Sequence, residues 1–423
     1  MRRISAALAK RGQVRSFLHR NNTGFNFTFN KGLAVLSATL GLKWVICFYF
    51  LYYVLMPKKI TLYYKKNRRN QEIMQQLKKL KGVFYPHILW LFPEVQTLAC
   101  LVRNMPKNQC KEIEITQDDG GSFFVDIYEP ATCNGHTVVL IHGLGGSSQS
   151  KYVKILGSHF LKENYRVAAM GARGTKHPLK TPVFFHIGWT KDLIGTFKYV
   201  LNTYPSDTVS GVGYSLGGHW MTKTFGELDR NFTEEEMQRI KGGMAISTPF
   251  DFVKLSKYML NPIPKRIYNR GFADRTKKLV IRNREIFEEY GVKVDEILKA
   301  QTIHEVDALL TAKVFGIENM DKHYYDESCV RVVGKIKKPF LIFNSKDDPI
   351  IPKNTIPIKE CTDSEHVILA LTEKGGHMGF LGYNRGKSYA EEAALEFIRV
   401  IREYVDKDLD EEDAEKCEVI EEV

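Results

Sequence analysis

The first quarter of this chain has almost no acidic residues. Residues 1–110 contain 19 lysines and arginines against two acids, Glu72 and Glu94. The formal net charge of +12 over 423 residues therefore arises in this segment, since residues 111–405 carry 40 basic and 37 acidic side chains. Residues 406–423 reverse the balance, with two basic and ten acidic side chains. The body of the chain thus lacks the basic excess of a nucleic-acid-binding protein, and we expect no nucleic-acid partner.

Cysteine pairs and nucleotide-binding patterns are also scarce. The seven cysteines are odd in number and far apart, and no Cys-x-x-Cys pair or zinc spacing occurs. We therefore expect free thiols, several of them buried, and no disulfide framework. No Gly-x-Gly-x-x-Gly follows a strand-like run, and no phosphate-binding loop is present. The histidines show no metal-ligand spacing either, so the sequence predicts neither a cofactor nor a metal.

One long apolar run spans residues 32–56 and contains a single charge, Lys43. About 20 apolar residues cross a bilayer. A central lysine costs roughly 3 kcal/mol, which a side chain reaching towards the interface reduces. We predict a single membrane anchor, in the endoplasmic reticulum or another endomembrane. Residues 1–31, rich in arginine and free of acids, also fit a mitochondrial targeting segment. Basic residues flank the run on both sides, so its orientation stays open.

Residues 57–110 connect this run to the body of the chain. They are basic at first, and Lys78, Lys79 and Lys81 precede an apolar and aromatic stretch at 83–92. Such a segment fits the headgroup layer of an anionic membrane. The alternative is a segment packed on the surface of the body. The sequence does not separate the two interpretations.

From residue 111 onwards, short apolar runs alternate with segments of helical length. Residues 111–128 alternate in polarity around Asp118–Gly121, which indicates a hairpin. The later runs are apolar on both faces and predict a mostly parallel sheet with helices on both sides. These runs lie at 138–141, 166–170, 209–213, 244–247, 340–343 and 366–371. We predict one α/β domain at 111–405, closed by a helix near 388–405, and an acidic tail at 406–423.

The interval between the runs at 244–247 and 340–343 is too long for one crossover. It is rich in basic and apolar residues, with helical spacing in its second half. We predict a helical lid at about 249–330. Lids over strand ends commonly determine the choice of substrate.

Residues 212–218 read Val-Gly-Tyr-Ser-Leu-Gly-Gly and contain the pattern Gly-x-Ser-x-Gly. This pattern is typical of a nucleophile elbow, in which a sharp strand-to-helix turn lifts a serine hydroxyl clear of a sheet. The sequence therefore predicts Ser215 as a nucleophile. The backbone N–H of Leu216, the next residue, is a candidate oxyanion donor.

Two further strand ends supply partners for Ser215. His377 lies in a Gly-Gly-His-Met-Gly loop after the run at 366–371, and Asp347 and Asp348 follow the run at 340–343. A serine needs a base to become nucleophilic, and histidine titrates near neutral pH. A carboxylate would orient the imidazole and stabilise its charged form. The chain order of serine, aspartate and histidine is that of α/β-hydrolases.

A glycine-rich loop follows the run at 138–141 and reads His142-Gly143-Leu144-Gly145-Gly146. Glycines at such a loop let backbone N–H groups approach a developing oxyanion. We predict the N–H of Leu144 as the second oxyanion donor. A capping role for His142 is the alternative reading of this histidine.

These motifs resemble the YheT-like, or family 4, branch of the α/β-hydrolases, over about residues 86–404. In that branch the acid is the second of two adjacent aspartates, 29 residues before the histidine. The resemblance therefore implies Asp348, with Asp347 as the alternative. The chain departs from the family at Ala172, where asparagine usually precedes Arg-Gly. The matching positions outside the triad include Arg173-Gly174, Thr181-Pro182, Gly188-x-Thr190-x-Asp192-Leu193, Asp307, Tyr324-Tyr325-x-x-Ser328 and Asn344.

The resemblance implies hydrolysis of glycerolipid or phospholipid esters by a protein with an N-terminal anchor. Our leading hypothesis is a single-pass membrane serine hydrolase that cleaves such lipid esters through an acyl-enzyme on Ser215. Its expected partners are the lipid substrate and the membrane. One alternative keeps the fold but acts on small soluble esters or thioesters. A second alternative is a non-catalytic membrane receptor or scaffold with a hydrolase fold.

Overall fold

The computed structural model describes residues 41, 43–45, 47, 48, 58–86, 92–382 and 388–404. The chain divides into two units, residues 1–56 and residues 57–423. In the first unit the six described residues are helical. The segment 1–31, most of the predicted anchor at 32–56 and the tail at 406–423 lie outside the described residues. Within the part of the chain that is described, no helix combines the length and the apolar character needed to cross a bilayer.

The described part of the second unit contains eleven strands. They are β1 (Lys58–Lys59), β2 (Thr61–Tyr63), β3 (Val83–Phe84), β4 (Lys111–Thr116), β5 (Ser122–Tyr128), β6 (His136–Ile141), β7 (Arg166–Gly171), β8 (Thr208–Tyr214), β9 (Ile240–Ile246), β10 (Phe340–Ser345) and β11 (Val367–Thr372). Nine of them form one sheet in the order β2-β11-β10-β9-β8-β6-β7-β5-β4. β1 and β3 form a separate antiparallel pair.

The centre of the nine-stranded sheet is parallel. Strands β7, β6, β8, β9, β10 and β11 all run in one direction, whereas β5 and β4 are antiparallel at one edge and β2 at the other. Parallel strands of this kind are buried on both faces, and every residue of β6, β10 and β11 is buried. The structure confirms the predicted mostly parallel sheet and its hairpin.

Helices cover both faces of the sheet. The described helices outside the lid are α1 (Arg68–Gln76), α2 (Pro93–Val102), α3 (Lys151–Lys162), α4 (Lys191–Thr203), α5 (Leu216–Gly226), α6 (Leu228–Asn231), α7 (Glu234–Arg239), α16 (Ile358–Asp363) and α17 (Tyr389–Glu403). Successive side chains of a strand point to opposite faces. Val139 and Ile141 therefore pack in the cluster that contains α4 and α5. Val138 and Leu140 pack in the cluster that contains α3 and α17.

The lid is helical and lies between β9 and β10. Its α-helices are α8 (Phe252–Tyr258), α9 (Pro262–Pro264), α10 (Arg270–Arg282), α11 (Arg284–Glu289), α12 (Val294–Lys299), α13 (Ile303–Val306), α14 (Ala312–Phe315) and α15 (Met320–Glu327). π-Helical turns at Lys265–Asn269 and Asp307–Thr311 join α9 to α10 and α13 to α14. Residues 262–282 thus form one continuous helical run.

The segment 57–110 extends the sheet, and this differs from the predicted boundary at residue 111. β2 pairs with β11, with Leu62 opposite Ala370. α1 follows, capped by the Asn67 side chain, which accepts a hydrogen bond from the Asn70 N–H, and its Ile73 is buried in the cluster shared with α17. The described residues of this segment therefore pack on the body, as the second interpretation expects, whereas residues 87–91 of its apolar stretch lie outside the described part.

Arg173 forms a buried ion-pair network just after β7. Its guanidinium binds both carboxylate oxygens of Asp192 in the first turn of α4, at 2.9–3.1 Å. Its Nη1 also donates to both oxygens of Asp119 in the β4–β5 turn, at 2.9 Å. The side chains of Arg173 and Asp192 have no exposed area. Burial raises the pKa of Asp192, and the neighbouring guanidinium opposes this rise.

We expect Arg173→Met to lower the free energy of unfolding by about 3–5 kcal/mol, because it leaves the buried Asp192 carboxylate without a partner. Urea unfolding of the purified chain would measure the loss. Lys337→Met is the matched control, since its partner Asp229 is half exposed and the pair lies on the surface. Equal effects of the two substitutions would contradict a structural role for the Arg173 network.

Candidate active site

Three polar side chains meet at the carboxyl edge of the parallel strands. Ser215 directly follows β8, Asp348 lies three residues after β10, and His377 lies five residues after β11. The carboxyl ends of parallel strands share one edge, which is where open α/β sheets bind their ligands. The structure brings together all three residues that the sequence predicted.

The backbone at Ser215 is strained. Its φ of 54° and ψ of −120° lie where side chains other than glycine are rare, at a cost of about 1–3 kcal/mol. The turn also requires glycine beside it, because a Cβ at Gly213 would overlap the backbone of Gly217. Ser215 is held there by its N–H, which donates to the carbonyl of Ile246 at 2.8 Å. The turn thus points the Ser215 hydroxyl away from the sheet.

The three side chains form one hydrogen-bonded chain. His377 Nδ1 lies 2.8 Å from Asp348 Oδ2, and His377 Nε2 lies 2.9 Å from Ser215 Oγ. An ionised carboxylate only accepts hydrogen bonds, so Nδ1 carries the proton and Nε2 is free to accept from the serine hydroxyl. His377 and Asp348 are both buried. This is the arrangement in which an imidazole can take a proton from serine.

The two adjacent aspartates have different partners. Asp348 faces His377, and its Oδ1 accepts from the N–H groups of Ile350 and Ile351 at 2.8 and 3.0 Å. Asp347 Oδ1 accepts from the Gly376 N–H at 2.9 Å. Burial raises the pKa of the Asp347 carboxyl. The geometry thus favours Asp348 as the partner of the imidazole, while Asp347 holds the loop that carries it.

The loop after β6 lies against the serine. A Cβ at Gly143 would be 2.9 Å from the Ser215 Cβ, so only glycine allows this approach. The Gly143 N–H donates to the Tyr152 hydroxyl at 3.0 Å. Leu144 follows in this loop, Leu216 begins α5, and both line the cavity that contains Ser215. The first N–H groups of a helix have no intrahelical acceptor, which keeps the Leu216 N–H available.

His142 braces this loop from behind. Its Nδ1 donates to the Gly143 carbonyl at 2.7 Å, and its Nε2 accepts from the Ala172 N–H at 3.1 Å. The contact at position 172 uses the backbone, so alanine makes it without the amide side chain usual in the resembling family. Burial lowers the pKa of His142 to about 4 and keeps its ring neutral. His142 therefore has a fixed tautomer and a positioning role.

The loop that carries His377 is held by residues that the sequence analysis did not identify. The His377 N–H donates to the Thr97 hydroxyl at 2.9 Å, and the Gln96 side chain pairs with both backbone groups of Leu381 at 2.8 and 3.0 Å. The Met378 N–H donates to the Ser247 hydroxyl at 2.9 Å. Thr97 and Gln96 belong to α2, about 280 residues earlier in the chain. No local pattern could have indicated these contacts.

A cavity of about 820 Å³, part of it open to solvent, contains the Ser215 hydroxyl. The lid supplies one side and the body the other, and most of the lining is apolar. The lining includes Phe184, Phe185, Phe252, Leu255, Met259 and Ile350.

One polar pair interrupts the apolar lining. The Tyr324 hydroxyl donates to Asp307 Oδ2 at 2.5 Å, and the Thr311 hydroxyl donates to Asp307 Oδ1 at 2.8 Å. Burial raises the pKa of Asp307. Asp307 and Tyr324 both line the cavity, where they can contact the polar part of a ligand.

Three histidines near the strands are buried in their neutral form. Burial lowers the pKa of His136 and of His219 to about 3, and that of His142 to about 4. The unfolded chain takes up protons on these rings below about pH 6.5, whereas the folded chain does not. Stability is therefore lost as pH falls from about 6.5 to about 4.

We expect each such histidine to contribute about 1.4 kcal/mol per pH unit to this loss, once the pH is well below 6.5. Urea unfolding between about pH 5 and 6 would measure the slope. His219→Gln removes one titrating group and should lower the slope by about 1.4 kcal/mol per pH unit. A slope that is unchanged in this variant would show that His219 is not buried as a neutral ring.

Side chains that can bind metals, and cysteine thiols, also occur in the described part of the chain. Within the described ranges, no group of three or more histidine, cysteine, aspartate or glutamate side chains could hold a metal ion. Cys100, Cys329 and Cys361 are free and buried. Burial raises the pKa of Cys100 to about 12, so this thiol stays protonated at neutral pH.

Several curated proteins are similar to this chain in sequence, whereas no protein-family model matches it. An abhydrolase domain-containing protein of Dictyostelium discoideum is 28% identical over 295 residues, which cover 68% of this chain and 73% of that protein. Monoacylglycerol lipase ABHD2 of Danio rerio is 28% identical over 280 residues, covering 63% and 64%. Monoacylglycerol lipase of Saccharomyces cerevisiae is 26% identical over 276 residues, covering 63% and 60%.

The chain thus spans less than two thirds of the length of the two lipases that it matches. Among solved structures, an esterase of Pyrococcus furiosus is similar to this chain, with a TM-score of 0.46 and 16% identity. The match covers 69% of this chain and 91% of the esterase chain. The relatives support membership of the α/β-hydrolase superfamily, in agreement with the observed mixed sheet and flanking helices. Together with the Ser215 site, they support a serine ester hydrolase.

Proposed function

We propose that the chain hydrolyses carboxylic esters of lipids, with a monoacylglycerol as the preferred class, through an acyl-enzyme on Ser215. The observation that carries the proposal is the chain of hydrogen bonds from Asp348 through His377 to Ser215, which opens into an apolar cavity. A serine with this support is a nucleophile, and an apolar cavity fits an acyl chain.

In the first step the Ser215 oxygen attacks the ester carbonyl while His377 Nε2 takes its proton. The Asp348 carboxylate stabilises the imidazolium that forms. The carbonyl oxygen gains negative charge, which the N–H groups of Leu144 and Leu216 would stabilise. The tetrahedral intermediate then collapses as His377 returns the proton to the leaving alcohol.

In the second step water attacks the acyl group on Ser215. His377 takes a proton from the water, and the serine hydroxyl is regenerated as the fatty acid leaves. The hydrogen-bonded pair of Asp307 and Tyr324 could bind a hydroxyl of the substrate, since both line the cavity. Two of the relatives are named monoacylglycerol lipases, which supports an acylglycerol over a phospholipid.

The proposal includes membership of the YheT-like branch and attachment to a membrane through residues 32–56. The motifs that extend from residue 142 to residue 377 support the first part. The length of the apolar run and its aromatic residues support the second part, with an endomembrane as the location. A mitochondrial membrane is the alternative location.

A labelling experiment on the detergent-solubilised full chain tests the proposal. A fluorophosphonate probe should modify one serine, and peptide mass spectrometry should identify it as Ser215. Turnover would then be compared on a long-chain monoacylglycerol, a lysophospholipid, a short nitrophenyl ester and an acyl thioester. We expect the monoacylglycerol to have a kcat/KM at least tenfold above the others.

Other outcomes would contradict the proposal in distinct ways. Labelling of a different serine would overturn the assigned nucleophile. A preference for the short soluble ester or the thioester would leave the mechanism but favour the soluble-substrate alternative. Saturable binding of lipid with neither labelling nor turnover would favour a receptor with a hydrolase fold.

A further inference from the structure

One part of the lid, residues 260–267, carries three large apolar side chains that are exposed. Leu260, Ile263 and Ile267 lie in and beside the helical run at 262–282, and Ile263 is 69% exposed. Ile263 and Ile267 are four residues apart and therefore lie on one face of this run. Scattered exposed apolar residues are common, but a group on one helix face indicates a contact surface.

The same segment forms a side of the catalytic cavity. Leu255, Met259 and Phe272 line the cavity that contains Ser215, while Leu260, Ile263 and Ile267 lie among them in sequence and point outwards. The buried Asn269 ties the segment to the rest of the lid, since its side chain bonds to Met259 and Ile303. A surface that contacts this face would therefore lie within one helix diameter, about 10 Å, of the cavity.

The charged side chains within this segment of the lid have one sign. Between Phe252 and Ala273 the lid has five basic residues and no acid. Lys254 pairs with Asp251. The other four basic side chains make no ion pair among the described residues and are exposed, namely Lys257, Lys265, Arg266 and Arg270. A basic rim around an apolar face complements a surface that is anionic outside and apolar beneath.

A second exposed apolar element lies on the helix that supports the loop of His377. Phe92 and Leu98, in and next to α2, are both more than 60% exposed. Thr97 of the same helix accepts a hydrogen bond from the His377 N–H. Exposed apolar side chains therefore occur both on the lid and on α2.

We propose that this face, defined by Leu260, Ile263 and Ile267 with their basic rim, docks on an anionic lipid bilayer and delivers the substrate into the cavity. The inference rests on the proposed lipid hydrolysis and adds the kind of membrane from which the site takes its substrate. The face belongs to the unit that contains Ser215, and it is a different segment from the proposed anchor at 32–56. Its contact with the membrane would therefore be additional to that of the anchor.

The test uses the full chain with Ser215→Ala, so that binding is measured without turnover. Hydrogen–deuterium exchange would be compared in vesicles of phosphatidylcholine alone and in vesicles with about 30% phosphatidylserine. We expect the anionic vesicles to lower exchange in residues 257–270 at least threefold, and salt at about 0.5 M to remove the effect. Equal exchange in both vesicles would overturn the proposal.

Activity in the same vesicles provides a second readout. The double variant Ile263→Asp with Ile267→Asp should lower turnover of a vesicle-borne monoacylglycerol at least tenfold and leave a soluble nitrophenyl ester within twofold. Ile281→Asp is the matched control, since Ile281 is 56% exposed and lies about 20 Å further along the same run. Replacing Lys265, Arg266 and Arg270 with glutamine should remove only the gain from phosphatidylserine.

The outcomes separate this proposal from the proposed function. Absence of turnover on every ester with protection of 257–270 would support the docking face and contradict lipid hydrolysis. Turnover that the aspartate variants leave unchanged, with no protection, would support hydrolysis and overturn the docking face. Protection that depends on protein concentration and needs no vesicles would mean that a second copy of this chain covers the face, and would overturn the proposal.

Discussion

Replacing Ser215 with alanine is expected to lower kcat for ester hydrolysis by about 10⁴–10⁶, the range typical of a lost serine nucleophile. The hydroxyl accepts the acyl group, and no other hydroxyl is hydrogen-bonded to the His377 imidazole among the described residues. The substitution should not relieve the backbone strain at position 215, because alanine keeps the Cβ that makes this conformation unfavourable. Assays of ester hydrolysis on the purified chain would give kcat. Fluorophosphonate labelling would give the fraction of the chain with a modified serine.

Ser210→Ala is the matched control for this substitution. Ser210 lies in β8, the strand that Ser215 directly follows. It is fully buried, and its hydroxyl has no hydrogen-bond partner among the described residues. The same atom is therefore removed from a nearby position without loss of a hydrogen bond. We expect activity within twofold of the unmodified chain. A loss of activity with Ser210→Ala comparable to that with Ser215→Ala would mean that folding, and not nucleophilic attack, explains both results.

Asp348→Asn is expected to lower kcat by about 10⁴, because an amide can donate to His377 Nδ1 and hold the ring in the wrong tautomer. Asp347→Asn should cost less than tenfold. The amide oxygen at position 347 can still accept from the Gly376 N–H, so the histidine loop keeps its support. The two variants differ by one position and make the same chemical change, and each therefore controls for the other.

The relative loss of kcat in the two variants identifies the acid that orients His377. If Asp347→Asn caused the larger loss, the alternative acid would be correct. The contacts of Asp348 with His377 in the resting structure would then not persist during the reaction.

The position of the site was predictable because it depends on local patterns. Ser215 and His377 each follow a short apolar run and sit among glycines, and parallel strands of such runs end at one edge. The sheet, the hairpin and the helical insertion were predictable for the same reason, since each shows in the periodicity or the length of a segment. Element ends were less certain, and β6 begins two residues before the predicted run.

The local sequence pattern does not show whether Asp347 or Asp348 orients the imidazole of His377. Both follow β10, and their directions depend on how the next turn is closed, which the N–H groups of Ile350 and Ile351 determine. The role of α2 was also hidden. Thr97 and Gln96 are ordinary polar residues of a helix, and only the tertiary fold brings them to the loop of His377. The sheet edge formed by β2 escaped prediction because three residues carry too little signal.

The support that α2 gives to the His377 loop has a consequence for the chain after cleavage. The connection between α2 and β4 includes five exposed residues, at 104, 105, 107, 109 and 110, where a protease can reach it. A single nick there would split the polypeptide but leave β2 and α2 seated by their noncovalent contacts. Inactivation would then follow dilution, as the fragment dissociates, and adding the fragment back would restore activity by complementation.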